Sequence, residues 1–223
     1  MNLLETEIGE LKTELLDMIA LVKGQFEKAI VALSTFDKDL AKEVLVSEKK
    51  VNESELKIDS KGEHILALFS PVAIDLRFVM ASLKMVSDIE RIGDNAKAIA
   101  HYVLLSENPF DKQLQNHLQL EKISKTGLEM LSILHESFET DNTRLAKSIF
   151  VKDETIDKVN MAANGSIAEY LQHEKDKSKI LEALYLLSIV RKIERVGDCA
   201  ANISEEIIFY VKAKVLKHQR KNL

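Results

Sequence analysis

Apolar side chains recur along residues 1–33 at Leu11, Leu15, Met18, Val22, Phe26, Ala29 and Leu33, in steps of three and four that lie on one helical stripe. The spacing predicts an amphipathic helix. Ser34-Thr35-Phe36-Asp37 offers capping chemistry, and a second helix is expected from about Asp37 to Phe69, where Ser70-Pro71 ends it. Pro71 suits the first turn of a third helix, which runs to about Ser106 before Asn108-Pro109 breaks the chain. Beyond Pro109, Leu120, Ile123, Leu131, Leu134 and Phe138 mark a fourth helix that stops near Thr140-Asp141-Asn142. A fifth is expected to about Gln172, a polar turn over 173–177, and a sixth from about Ser178 to the C-terminus.

The second set of three repeats the first in residues as well as layout. Leu40-Ala41-Lys42 returns as Leu145-Ala146-Lys147, 105 residues on, and Ile89-Glu90-Arg91-Ile92-Gly93-Asp94 returns as Ile193-Glu194-Arg195-Val196-Gly197-Asp198, 104 residues on. Six positions are identical across the ten-residue windows ending at Asp94 and Asp198. The expected fold is all-α, two tandem pseudo-symmetric three-helix bundles over 1–107 and 108–223.

Composition agrees with helix. Two prolines and seven glycines in 223 residues are too few for a turn-rich β fold, and 46% hydrophobic content can build a core. A formal net charge of −5 argues against generic nucleic-acid binding. The single cysteine, Cys199, cannot form an internal disulfide, the acidic N-terminus is unlike a signal peptide, and no apolar run approaches the roughly 20 residues of a membrane span. The expectation is a cytoplasmic protein that is not integral to a membrane.

The candidate chemistry is carboxylate. Glu90 and Asp94 share one helix face, as do Glu194 and Asp198. With 36 acidic residues in the chain, one such pair means little; its recurrence means more. If the second and third helices form a hairpin about Ser70-Pro71, Glu90 and Asp94 face residues 46–50, where Glu48 sits with Asn52 one turn on. The same construction sets Glu194 and Asp198 opposite 151–155, near Asp153 and Asp157, which match Glu48 and Asn52 at the repeat offset. The expected oxygen ligands are therefore Glu48, Asn52, Glu90 and Asp94 in one half and Asp153, Asp157, Glu194 and Asp198 in the other, each set on the outer face of its bundle. The second set, with four carboxylates, is expected to bind more tightly.

Two carboxylates about 5 Å apart repel by roughly 3 kcal/mol at an effective dielectric of about 20. The resolutions are protonation, pairing with Lys49, Lys50, Arg91, Lys152 or Arg195, or a bound cation. Arg91 and Arg195, each one residue past its glutamate, are expected to point away. An oxygen-only set favours a hard cation: magnesium, calcium, manganese or ferric iron. Mid-helix Gly93 and Gly197 indicate crowding at these positions. At this level a metal site and a salt-bridged scaffold both stand.

Ile-Glu-Arg-Ile-Gly-Asp at 89–94 and Ile-Glu-Arg-Val-Gly-Asp at 193–198 resemble the repeated Glu/Asp-x-x-x-Asp signature of the PhoU family of phosphate-uptake regulators. Glu48-Lys49-Lys50-Val51-Asn52 is similar to that family's Asp-Lys-x-Val-Asn segment, and Asp75-Leu76-Arg77 to its Asp-Leu-Arg stretch. The resemblance, from about residue 10 to 212, implies multinuclear metal sites at these motifs and restraint of high-affinity phosphate uptake and the starvation response. The partners it implies are the ATPase of the phosphate ABC transporter and a sensor histidine kinase; a homodimer is the expected assembly. Glu48 in place of Asp and Asn52 in place of a carboxylate are departures at the first site.

No catalytic residue is identified. None of the six histidines follows a glutamate by three, so the Glu-x-x-His element of di-iron bundles is absent, and no phosphate-cradling glycine loop or hydrolase elbow occurs. Cys199 reads as a small core residue. The basic tail of Lys212, Lys214, Lys217, Arg220 and Lys221 reads as cations favoured at a helix C-terminus. Rival readings are a metal-dependent enzyme or metal store on the same carboxylates, and an accessory of a sodium-coupled phosphate carrier.

Overall fold

A computed structural model describes residues 3–215. It contains α1 (Leu3–Thr35), α2 (Lys38–Phe69), α3 (Ala73–Leu105), α4 (Lys112–His117), α5 (Leu120–Glu139), α6 (Thr143–Tyr170) and α7 (Lys177–Lys212), and no strand among the described residues. The six long helices are those the periodicity predicts. The short α4, capped by the Asp111 carboxylate accepting from Leu114 N–H, is additional; six residues are too few for a periodic signal. Helix α7 stops at Lys212, with Ala213 in the left-handed region, instead of continuing to the C-terminus, and Lys217, Arg220 and Lys221 of the basic tail lie outside the described residues.

The repeat extends to the joints. Asp37 caps α2 by accepting from the amides of Asp39 and Leu40, and Asn142, 105 residues on, caps α6 by accepting from Arg144 and Leu145. The residue before each cap, Phe36 or Asp141, has a left-handed backbone (φ 57° and 52°), which turns the chain sharply between helices.

Helices α1, α2 and α3 pack as one three-helix bundle and α5, α6 and α7 as a second, but the two share one continuous core. Like helices meet: α3 lies along α7, and α1 on α5. Phe26 of α1 is fully buried with its ring over Gly127 of α5, where an added Cβ would stand 3.1 Å from Phe26 Cε1. The α3–α7 seam is pinned at one end by Phe78 against Tyr210, ring centroids 5.3 Å apart, and at the other by Tyr102 against Tyr185 at 5.4 Å. Between them Lys84 pairs with Glu206 at 3.2 Å. Early α3 therefore meets late α7, and late α3 meets early α7: the two run antiparallel. Since repeat-equivalent positions lie 104 residues apart, the places where each helix faces its own equivalent are Ile92 and Val196. The pseudo-two-fold axis relating the halves crosses the seam there, beside both acidic motifs.

The α2–α3 hairpin turns later than Ser70-Pro71 suggests. Pro71 lies outside α3, which is preceded by Val72 as N-cap and begins at Ala73. The register moves accordingly: Lys38 Nζ donates to Ser106 O at 2.7 Å, and an added Cβ on Gly93 would meet Val51 Cγ1 at 3.3 Å. Residues 90–94 thus face the low fifties and not 46–50, a displacement of about one helical turn.

Candidate metal centres

Three acidic residues in each half converge. Glu48 (α2) with Glu90 and Asp94 (α3) place one carboxylate oxygen apiece within 4.8 Å of one another, and so do Asp153 and Asp157 (α6) with Asp198 (α7). Each half contributes one buried, one half-buried and one exposed carboxylate, so each cluster runs from the helix interface out to solvent. Glu194 lies close enough to Asp198 and Asp157 for their charges to raise its pKa, after burial as the larger cause. Asn52 is exposed and makes no side-chain hydrogen bond among the described residues.

The shifted register adds a residue to each half that the hairpin estimate misses. Glu55, two turns past Glu48, carries a pKa raised by burial and then by Asp59 and Asp94, and it in turn acts on Glu90. Its equivalent at the repeat offset is Asn160, whose amide donates to the Glu194 carboxylate. The composition of the two halves therefore differs from the sequence expectation. One gathers the carboxylates of Glu48, Glu55, Glu90 and Asp94; the other, those of Asp153, Asp157, Glu194 and Asp198 together with the Asn160 amide. Both therefore hold four carboxylates. The signal was present in the i, i+7 spacing from Glu48 and Asp153, which keeps a side chain on the same face.

Glu90 shows the strain of crowding: burial first, then the charges of Asp94, Glu55 and Glu48, raise its carboxyl to about 7. Glu48, only 7% exposed, is raised for the same reasons, burial before Asp94. Partial relief comes from Lys97, whose ammonium lies 3.5 Å from Glu48 and 3.9 Å from Asp94. The equivalent position on α7 is Ala201, so the second cluster has no such lysine. Arg91 turns away, as expected, to pair with Asp88 at 3.2 Å. Lys152 likewise pairs with Glu129 and Lys49 with Glu53, outside the clusters.

A cation suits these sets. Glu48 Oε2 is buried without a hydrogen-bond donor, an orphaned anion-forming oxygen in an oxygen-only group. The mid-helix glycine of the second motif has a specific purpose: a Cβ on Gly197 would lie 2.8 Å from Asp153 Oδ1, so its absence leaves room for that carboxylate. Gly93 instead accommodates Gln25 Oε1 and Val51, at 3.1 and 3.3 Å. Cys199 is buried, its thiol pushed up to about 12 chiefly by burial, which suits the core role expected of it.

The clusters do not sit wholly on outer faces. Asp94 and Asp198 both open onto one groove of about 900 Å³ along the α3–α7 seam.

A sequence model of the PhoU domain matches twice, over residues 15–103 and 120–207, once per half. The chain is 34% identical over 213 residues to the phosphate-specific transport system accessory protein PhoU of Edwardsiella tarda, covering 95% of this chain and 86% of that one. It is 33% identical to the protein of the same name from Escherichia coli K12, with the same coverage, and 32% identical to a homologue from Aquifex aeolicus, covering 96% and 95%. The crystal structure of the phosphate transport system regulatory protein PhoU from Streptococcus pneumoniae superposes with a TM-score of 0.84 at 30% identity, covering 95% of this chain and 98% of that one. PhoU from Pseudomonas aeruginosa gives 0.84 at 29%, covering 94% and 99%. With both halves matched, the fold shared end to end and the acidic motifs at equivalent places in each bundle, this chain belongs to the PhoU family, a phosphate-transport accessory and regulatory protein.

Proposed function

We propose that the protein restrains high-affinity phosphate uptake and phosphate-starvation signalling from the cytoplasm, as a homodimer that docks to the transporter ATPase or the sensor histidine kinase. Hard cations held by the two carboxylate clusters complete its surface. The observation that carries the metal part is the buried Glu48 carboxylate, grouped with Glu90 and Asp94 and left with an oxygen that no donor satisfies. Bound iron, manganese, magnesium or calcium, more than one ion per cluster, would supply the positive charge that four carboxylates require. The units are the halves 1–107 and 108–223. Among the described residues no helix is long and apolar enough to cross a membrane, which supports a peripheral role.

One observation favours an enzyme: a Glu90 carboxyl near neutrality could serve as a general acid or base. Its shift, however, comes from burial and like charges, which a cation would cancel, and Glu90 does not line the groove. The relatives are named as accessory and regulatory proteins. Docking is therefore the preferred output, with metal acting through differential affinity for bound and free states.

Elemental analysis of the purified protein, beside Asp94→Asn and Asp198→Asn, tests the cation sites. Calorimetry with the cognate ATPase and kinase, with and without chelator, tests docking, and a starvation reporter in a deletion strain tests repression. Undiminished repression in that strain with no binding to either partner would transfer the assignment to a metal store or enzyme.

A further inference from the structure

The groove along the α3–α7 seam is built around the pseudo-two-fold axis. Five pairs of its lining residues are repeat equivalents: Asp88 with Lys192, Arg91 with Arg195, Asp94 with Asp198, Asn95 with Cys199, and Ala98 with Asn202. A cavity lined by like residues from both halves is a place where one small ligand touches both bundles at once. At about 900 Å³ its size is that of a small-molecule site.

Its chemistry is cationic at the centre. Arg91 and Arg195 are adjacent in sequence to the axis residues Ile92 and Val196, one from each bundle, and both line the groove. The symmetry is broken in the positive direction. Where α3 carries Asp88, which ties Arg91 at 3.2 Å, α7 carries Lys192, and Arg195 consequently lacks the equivalent i−3 carboxylate. Neither Arg195 nor Lys192 has a carboxylate within salt-bridge distance among the described residues. Lys97 and His101 add further donors on the α3 wall. The chain as a whole carries a net charge of −5, whereas the groove sets four permanent cations, Arg91, Lys97, Lys192 and Arg195, against three carboxylates, Asp88, Asp94 and Asp198, and Lys192 and Arg195 are the two left unpaired by them. No Phe, Tyr or Trp lines the walls, so a nucleotide base would find no large aromatic face to stack on.

We infer that this groove binds a small multiply charged phosphate anion, inorganic phosphate or a short condensed phosphate, between Arg91 and Arg195, with Lys192 completing the contact. Guanidiniums meet tetrahedral oxyanions through forked hydrogen bonds, and two of them lining one groove, one from each bundle, suit an anion with several oxygens. The anion clamps the two bundles across the seam. It does not require the cation clusters, although cations on Asp94 and Asp198 would neutralise the acidic edges of the groove and strengthen binding.

The test is isothermal calorimetry of orthophosphate, pyrophosphate and tripolyphosphate against the full chain, stripped of metal and then loaded with manganese, with sulfate as a charge control. Arg195→Gln and Lys192→Gln, both on an exposed or half-exposed face, should each weaken phosphate binding about tenfold, the loss of one charge-assisted hydrogen-bonding group. Arg91→Gln/Arg195→Gln should abolish it, and Lys28→Gln, which is not among the groove's lining residues, should leave it unchanged. Preference for orthophosphate identifies the free ion as ligand; affinity rising with chain length identifies a condensed phosphate. The inference is overturned if metal-stripped wild type binds none of the three, or if the arginine variants bind as tightly as wild type. Binding that appears only with manganese and ignores the arginines would place the anion on the metal and equally refute the groove. The cation clusters are scored separately by metal content, so either reading can fail alone.

Discussion

Replacing Gly197 by alanine should separate metal binding from folding. The added Cβ would stand 2.8 Å from Asp153 Oδ1, 3.4 Å from Ile156 Cδ1 and 3.6 Å from Met130 Cε. The last two are ordinary contacts; the first must open by about 0.6 Å to reach van der Waals distance. Asp153 is 6% exposed, and its short side chain has little freedom to retreat without a rotamer change or a shift of α6. Metal–oxygen distances tolerate only about 0.2 Å, so this carboxylate is lost or misplaced as a ligand, at an expected cost of about 10- to 100-fold in affinity. Folding should change far less. Alanine gains roughly 1 kcal/mol of helix propensity over glycine, which offsets most of an overpacking cost of about 1–3 kcal/mol.

Gly93→Ala is the matched control. There the Cβ meets Gln25 Oε1 and Val51 and Val22 methyls at 3.1–3.4 Å, with no ligand among them, so stability changes comparably while cation affinity is kept. Manganese titration of metal-stripped protein, with the opposite cluster disabled by Asp94→Asn or Asp198→Asn, reads each site; urea unfolding reads stability. Equal affinity loss in both alanine variants, or none at the second site in Gly197→Ala, would refute the assignment of Asp153 as a ligand held in place by the glycine.

Other expectations are more direct. Glu90 is raised from an ordinary carboxyl value to about 7 in the fold, so the folded state holds its proton more tightly than the unfolded chain. Metal-free stability should therefore fall as pH rises from about 4.5 through 7, by on the order of 1 kcal/mol after allowance for solvent screening, and saturating manganese should remove the fall; thermal denaturation across that range checks it. Lys97→Met removes the ammonium that competes for Glu48 and Asp94, and should tighten cation binding at the first cluster by about threefold or more in the same titration while leaving the second unchanged. Ala213→Gly, at a left-handed cap (φ 54°) whose amide bonds Phe209 O, should stabilise the protein by about 1 kcal/mol in urea unfolding.

Helices, caps and the two motifs were legible in the chain because each is a local pattern: a stripe of period 3.6, an Asp or Asn before a turn, a hexapeptide that returns. Contacts between helices were less so. Centring the α2–α3 turn on Ser70 instead of Val72 displaces the opposing residues by about one turn, and that displacement hid Glu55 and Asn160. It also made the first cluster look poorer in charge than it is. The groove was further from view, because hydrophobic periodicity says which face of α3 is buried but not that α7 covers it antiparallel. That pairing is carried by side chains distant in sequence, Phe78 with Tyr210 and Tyr102 with Tyr185.

The packing of like helices on like, α3 on α7 and α1 on α5, has the form of an isologous dimer contact written into one polypeptide. Such an interface between separate, identical chains would oblige both copies to carry the same residues. Covalent fusion lifts that obligation. One half can exchange an amide for an acid a turn apart, keep a lysine beside its carboxylates, or set a lysine where the other has an aspartate, without the change being imposed on its twin. If the clusters hold cations as proposed, the duplicated fold would let the two fill at different cation concentrations, so that occupancy would rise in steps where a strictly symmetric pair would have a single threshold.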